Sequence, residues 1–422
     1  MEYILFIVYL LIFCWLLTKV RFVKNSGLSN KYILLLFGAK IFAGLAIGWI
    51  SIHIYSTGND YWDVNREGWS EYQLLWSDPK EYFSNLFTSN YQQGYGGLFD
   101  SFQSFWNDLR NNIIIKMLSV CDIFSRGNYY INSLFFNFVG FLGHVAFYKI
   151  FIQIYRKQQL AVIVCCFLLP SMLYFTSGVQ KDNIVFTTLG FLLYAVYQSL
   201  NKNRWTAKRL AIIFIAFIML FLIRSYVLIN LLPALTIWIL VSKYKWPPLK
   251  SFIIGYIITG VLFFNVNAIV NSIDPLKTVT NKQAAFFTLP IAATQIKLDT
   301  LYPNFKSFAF NAPQAFNHLL LRPYPTELPA KSLLPINIEL IIFQLCFILF
   351  LLFKRKAIPE EKDAFIIFGI FFSMTMFLFI GYIMPNLGSI VRYRSVYLPF
   401  LMAPVICRIN WEKIARLIKI KK

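Results

Sequence analysis

Apolar residues run through this chain in blocks of about twenty, the length that crosses the hydrocarbon of a bilayer as a helix. Blocks at 3–19, 33–54, 129–154, 160–176, 183–200, 210–223, 227–242, 251–270, 338–353, 364–384 and 395–407 predict about eleven spans. Several are short. The pairs that meet at Arg224 and around residues 177–182 read as re-entrant or broken helices whose ends lie below the surface. The first block lacks a basic leader before it and a small-residue cleavage site after it, so it is expected to be a span and not a signal peptide.

Two long segments interrupt this rhythm. The first, 55–128, carries Asp60, Asp63, Glu67, Glu71, Asp78, Glu81, Asp100, Asp108 and Asp122, nearly half of the chain's acids. Aromatic and aliphatic residues recur every three to four positions from Tyr72 to Phe87 and from Leu98 to Phe124, which predicts amphipathic helices lying in the membrane interface. The second, 271–337, is rich in proline and asparagine, with Leu, Phe and Tyr suited to resting against lipid. Segments of this length inside a membrane protein are usually functional. With no internal repeat or low-complexity tract, the expectation is one all-α membrane domain, 1–422, bearing two external insertions.

Composition removes the soluble alternatives. Of 422 residues 58% are hydrophobic and 14% charged, and the mean hydropathy is +0.58, outside the range of a globular domain in water. Forty Lys and Arg against nineteen Asp and Glu give a formal charge of +21. These cations fall in short clusters between apolar runs instead of one stripe, which argues for membrane topology and against nucleic acid. With the spans alternating as above, Lys19 to Lys31, Arg156 and Lys157, Lys202 to Arg209, Lys243 to Lys250, Lys354 to Lys356 and the C-terminal tail share one side. That side is expected to be cytoplasmic, with the amino terminus outside. The six cysteines form no disulfide framework or CxxC pattern, and His53, His144 and His318 are too scattered for a zinc site.

The remaining polar residues converge on the outer face. Asp60 opens the first external segment in STGNDYWD, with Asp63 its nearest rival; Lys181 and Asp182 lie in SGVQKDN; Arg224 stands between two apolar runs. Arg322 and Glu327 bound RPYPTE, Glu339 opens the ninth span, and Arg392 and Arg394 precede the last one. A cation at mid-membrane costs roughly 2.5 to 3.5 kcal/mol on insertion scales, so it needs a receiver, and guanidinium suits a phosphate. A carboxylate beside it takes a proton from a sugar hydroxyl. Each residue keeps a plainer reading as well. Asp60 can cap the helix after it, Lys181 and Asp182 can form a solvated loop tip, and Arg224 can snorkel. Arg392 and Arg394 run against the positive-inside tendency, which favours a functional reason for them. The tyrosines and tryptophans of the first segment read as an interfacial belt.

The long first external loop opening on an acid followed by aromatics, the SG..KD loop, the midchain Arg224 and the RYR before a proline ahead of the last span resemble bacterial glycosyltransferases of the GT-C fold. RPYPTE is similar to a stretch in relatives of these enzymes. The resemblance implies a polyprenyl-phosphate-linked sugar donor, a glycan or lipid acceptor, a bacterial inner membrane and an extracytoplasmic site. By that analogy Asp60 is the catalytic base, with Arg224, Arg392 and Arg394 on the lipid phosphate. The chain departs from better-known members in an extra N-terminal span, no soluble C-terminal domain, and an acidic pair loosened to Asp60 and Asp63. No cofactor is therefore required, and a divalent metal has no supporting ligand pattern. An O-antigen-type polymerase or ligase is the rival enzyme, and a lipid-sugar flippase, with polar residues through the bilayer depth, is the rival without catalysis.

Overall fold

Helices occupy most of the chain in the structure, a computed structural model that describes residues 2–54, 60–92, 94–98, 104–292, 294–327, 334–356 and 363–420, with backbone alone for Asp60 and 418–420. In chain order they are α1 (Glu2–Lys19), α2 (Arg21–Lys24), α3 (Asn30–His53), α4 (Asp60–Ser77), α5 (Pro79–Ser84), α6 (Phe105–Ser125), α7 (Tyr129–Ile154), α8 (Gln159–Ile163), α9 (Pro170–Phe175) and α10 (Lys181–Asn201). There follow α11 (Ala207–Tyr244), α12 (Pro248–Ile269), α13 (Pro275–Phe287), α14 (Phe305–Leu320), α15 (Leu334–Phe353), α16 (Ala364–Ile383), α17 (Leu387–Ser395), α18 (Leu398–Ile406) and α19 (Trp411–Ile420). Among the described residues, extended pairing is confined to two isolated bridges, Gln295 with Asn386 and Lys354 with Ile409. The chain is an all-helical, polytopic membrane protein over those residues.

Eight helices, α1, α3, α7, α10, α11, α12, α15 and α16, are long and apolar enough to cross a bilayer among the described residues. The expected runs at 160–176 and 395–407 are broken into shorter pieces. After α8 the backbone widens into a π-turn at Val164–Leu168, and Leu169 is extended ahead of Pro170, whose ring disfavours a helical residue before it. The last run divides at Val396 and Tyr397 between α17 and α18. Expected runs 210–223 and 227–242 are the two arms of α11, which meet at a kink where Arg224 leaves helical geometry at φ −147° and ψ 69°.

The segment 55–128 holds three helices among its described residues, α4, α5 and α6. Asp78 caps α5 by accepting from Glu81 N at 3.0 Å, and Ser104 caps α6 by accepting from Asn107 N at 3.3 Å. Lys116 of α6 reaches the Glu71 carboxylate of α4 and lies 3.7 Å from the Tyr82 ring centre. The segment 271–337 holds two helices of its own, α13 and α14, capped by Asp274 and Asn304. Its last residues, 334–337, already belong to α15.

The chain divides into two compact units, one of Met1–Lys149, Met172–Val196 and Thr206–Ser225, the other of Ile150–Ser171, Tyr197–Trp205 and Tyr226–Lys422. In the first unit, small residues let α7 and α10 meet at backbone distance: a Cβ added to Gly143 would lie 2.5 Å from Thr187 Cα. The interior there is not charge-free. Lys40, midway along α3, is 1% exposed. In the second unit, α16 is the central element, its Phe365, Phe368 and Phe372 packing with Phe400, and Phe365 and Phe368 also with Trp238.

Candidate functional site

In the first unit, an acid of α4 comes within reach of a cation from much later in the chain. Asp63 and Glu67 stand one turn apart on α4, on one face. Asp63 pairs with Arg66 at the exposed surface. Glu67 lies within electrostatic reach of Lys181; burial pushes its carboxyl up, Asp63 adds to that, and Lys181 opposes it. Lys181 opens α10 and donates from Nζ to Asn111 Oδ1 on α6 at 2.7 Å. Its neighbour Asp182 accepts from Arg224 Nη2 at 3.0 Å. Directly after that arginine, Ser225 Oγ accepts from Arg110 Nη2 at 2.9 Å, and the same nitrogen donates to Leu98 O at 2.7 Å. Asp60 supplies the first backbone position of α4, and its side chain lies outside the described residues.

The loop that leads into Lys181 is held by a buried lysine of α3. Lys40 Nζ donates to Thr176 O at one end of the loop and to Asn183 Oδ1, 3.4 Å away, at the other, and contacts His144 Nε2 at 3.2 Å. His144 Nε2 also lies 3.0 Å from Thr176 Oγ1, whose own hydrogen goes to Met172 O. Gly178, at φ +69°, makes the turn between these ends, and its N–H donates to Asn137 Oδ1 at 2.8 Å.

The second unit holds the other predicted residues. A cavity of about 510 Å³ is lined by Thr294, Gln295, Ile296, Lys297, Arg322, Thr326, Glu327 and Leu387. Its floor is an extended segment tied down on both sides: Ile296 N donates to Pro385 O at 2.8 Å, Leu387 N donates to Thr294 O at 2.9 Å, and buried Gln283 accepts from Leu301 N at 2.7 Å while donating to Tyr382 O. Its wall is RPYPTE, closed on itself by Arg322 Nη2 to Glu327 Oε1 at 2.9 Å and by Tyr324 N to Glu327 Oε2 at 3.1 Å. Arg322 Nη1 also donates to His318 Nε2 at 3.1 Å. Burial chiefly, and then the Arg322 charge, hold His318 down at about 4, against a smaller upward pull from Asp299.

Arg394 is buried, and its Nη1 donates to Leu319 O at 2.8 Å and Arg322 O at 2.9 Å, which fixes the wall from behind. Arg392 sits half-buried on α17. Glu339 is buried near the start of α15 and accepts from Ser171 N at 2.9 Å. The structure thus brings together Asp63, Lys181, Asp182 and Arg224 in one unit, and Arg322, Glu327 and Arg394 in the other. Sequence reasoning passes over Lys40, Glu67, Arg110, Lys297 and His318. Lys40 carried a usable signal, a lone lysine inside an apolar span, which is a functional indication by default. Among the described residues no group of three or more His, Cys, Asp or Glu gathers as a metal site. Comparison with protein-family models, curated proteins and solved structures gives no match.

Proposed function

We propose that this chain is a membrane glycosyltransferase of GT-C-like layout. It moves a sugar from a polyprenyl-phosphate donor to a glycan or lipid acceptor on the extracytoplasmic face of a bacterial inner membrane. About eleven crossings follow from counting α8–α9, the two arms of α11 and α17–α18 with the other spans. The observation that carries the reading is the first-unit cluster, where Glu67 of α4 lies within electrostatic reach of Lys181, next to the Asp182–Arg224 pair. Such a grouping has both parts the reaction needs, a carboxylate and fixed cations.

In this reading Asp60 takes the proton of the acceptor hydroxyl, with Asp63 one turn on as its rival. The acceptor oxygen bonds to the anomeric carbon as the bond from that carbon to the phosphate oxygen breaks, and the phosphate leaves on the lipid. Lys181 and Arg224 stabilise the charge that develops there. Arg322 and Lys297 hold anionic substrate in the second-unit cavity, Glu327 orients Arg322, and Arg392 and Arg394 support that wall. No cofactor is needed, because the leaving group is already a phosphate.

The test is transfer by purified protein from a panel of polyprenyl-phosphate sugars, with Asp60→Asn as control. Transfer by the parent protein and its loss in the variant are expected. Full transfer by Asp60→Asn removes the proposed base, and polymerisation of lipid-linked oligosaccharide in place of monosaccharide transfer would favour the polymerase reading. One observation favours a flippase instead, the polar group of Lys40 and His144 inside the spans. Against it, Lys40 is enclosed and its hydrogen bonds all go to fixed acceptors, which suits a clamp better than a path.

A further inference from the structure

Helix α19 is basic on one side and apolar on the other. Trp411, Ile414 and Leu417 recur at spacing three, while Glu412, Lys413 and Arg416 occupy the opposite arc. Trp411 is 42% exposed and Leu417 47%. From Arg408 to the end the sequence has six cations, Arg408, Lys413, Arg416, Lys419, Lys421 and Lys422, against the single acid Glu412.

The start of this helix is fastened to the end of a span. Asn410 N donates to Phe353 O, the last residue of α15, at 2.9 Å, and Arg355 N donates to Arg408 O at 3.0 Å. The Arg355 guanidinium reaches Cys407 O at 2.8 Å, and the Trp411 indole donates to Ile406 O at 3.2 Å. α19 therefore begins at the end of α15, a helix long and apolar enough to cross a bilayer, next to Lys354, Arg355 and Lys356. An amphipathic helix held at that depth has its apolar arc level with acyl chains and its cations level with headgroups.

We propose that α19 is a surface anchor that lies in the headgroup layer and binds anionic phospholipid headgroups. Charge complementarity selects the occupant, since a neutral surface would leave the basic arc without counter-charge and an acidic one supplies it. The inference does not rest on the glycosyl-transfer reading.

The test is hydrogen exchange of the full-length protein in nanodiscs of phosphatidylcholine alone or with about 30% phosphatidylglycerol, where amides of 411–417 should exchange about tenfold more slowly in the anionic discs. High salt should remove most of that difference. The double variant Lys413→Gln with Arg416→Gln should lose the lipid dependence while exchange in α16 stays unchanged, which separates lost binding from lost folding. Equal exchange in both lipids overturns the proposal. Protection that follows the number of protein copies per disc instead of lipid charge also overturns it, and assigns the helix to contact with a second copy.

Discussion

Arg224 donates to Asp182 across 3.0 Å at the position where the backbone of α11 leaves helical geometry. The two side chains are 11% and 3% exposed, so the ion pair is largely out of water. An isolated cation at this depth is costly, and the carboxylate is its receiver within the first unit. Removing one partner strands the other, which costs about 3–5 kcal/mol when the pair is buried. Asp182→Ala is accordingly expected to lower the thermal midpoint in detergent sharply. The double variant Asp182→Leu with Arg224→Met should regain much of that loss while failing to bind a lipid phosphate. Additive losses in the double variant would show that the two side chains are not coupled.

Lys40 gives a second expectation, about position more than charge. Lys40→Met keeps the length of the side chain but leaves Thr176 O and Asn183 Oδ1 without their shared donor. Each buried acceptor left unpaired costs about 1–3 kcal/mol. The loop at 177–182 should then exchange its amides faster than in the parent protein, with α16, in the other unit, unaffected. Unchanged exchange in the loop would reduce Lys40 to a tolerated core residue.

The spans were legible because apolar length adds up locally. α1, α3, α7, α10, α12, α15 and α16 fall within a few residues of the runs that predict them. The break in α11 was legible too, since a cation between two apolar runs is a conflict that the fold must resolve. Averaging over a window worked against Lys40, one charge among some twenty apolar neighbours. Other partnerships leave no local trace: nothing near residue 110 announces Ser225, and nothing near residue 297 announces Arg322. Tertiary neighbours decide these, and no spacing rule along the chain stands in for them. The buried Gln283 that fixes the cavity floor reads in sequence as one more polar residue of a proline- and asparagine-rich segment.

His318 gives the pH dependence. Its folded value of about 4 lies below the ordinary 6.5, so between those limits the unfolded chain binds more protons than the folded one. Stability from this residue is present above pH 6.5 and falls as pH drops toward 4, by on the order of 3 kcal/mol in full. Protonation also removes the acceptor that Nε2 offers to Arg322. Melts in detergent at pH 7 and pH 5 should differ, and His318→Gln should flatten the difference. An equal pH dependence in the variant would assign it to other groups.

The cavity in the second unit separates two kinds of cation. Lys297 is exposed and contributes charge to the lining, whereas Arg322 is bound to Glu327 and His318 and also shapes the wall. Lys297→Ala should therefore weaken binding of inorganic diphosphate by about three- to tenfold, mostly at low salt, as expected for a screened charge. Arg322→Ala should weaken it further and at all salt concentrations, because Glu327 is left without its partner and adds uncompensated negative charge to the lining. Lysine is a poor substitute for Arg322, since one ammonium does not reproduce a planar fork that reaches a carboxylate and an imidazole together. Calorimetric titration of the three variants checks this order. Equal binding by Arg322→Lys and the parent protein would mean that charge alone, and not the shape of the wall, receives the anion.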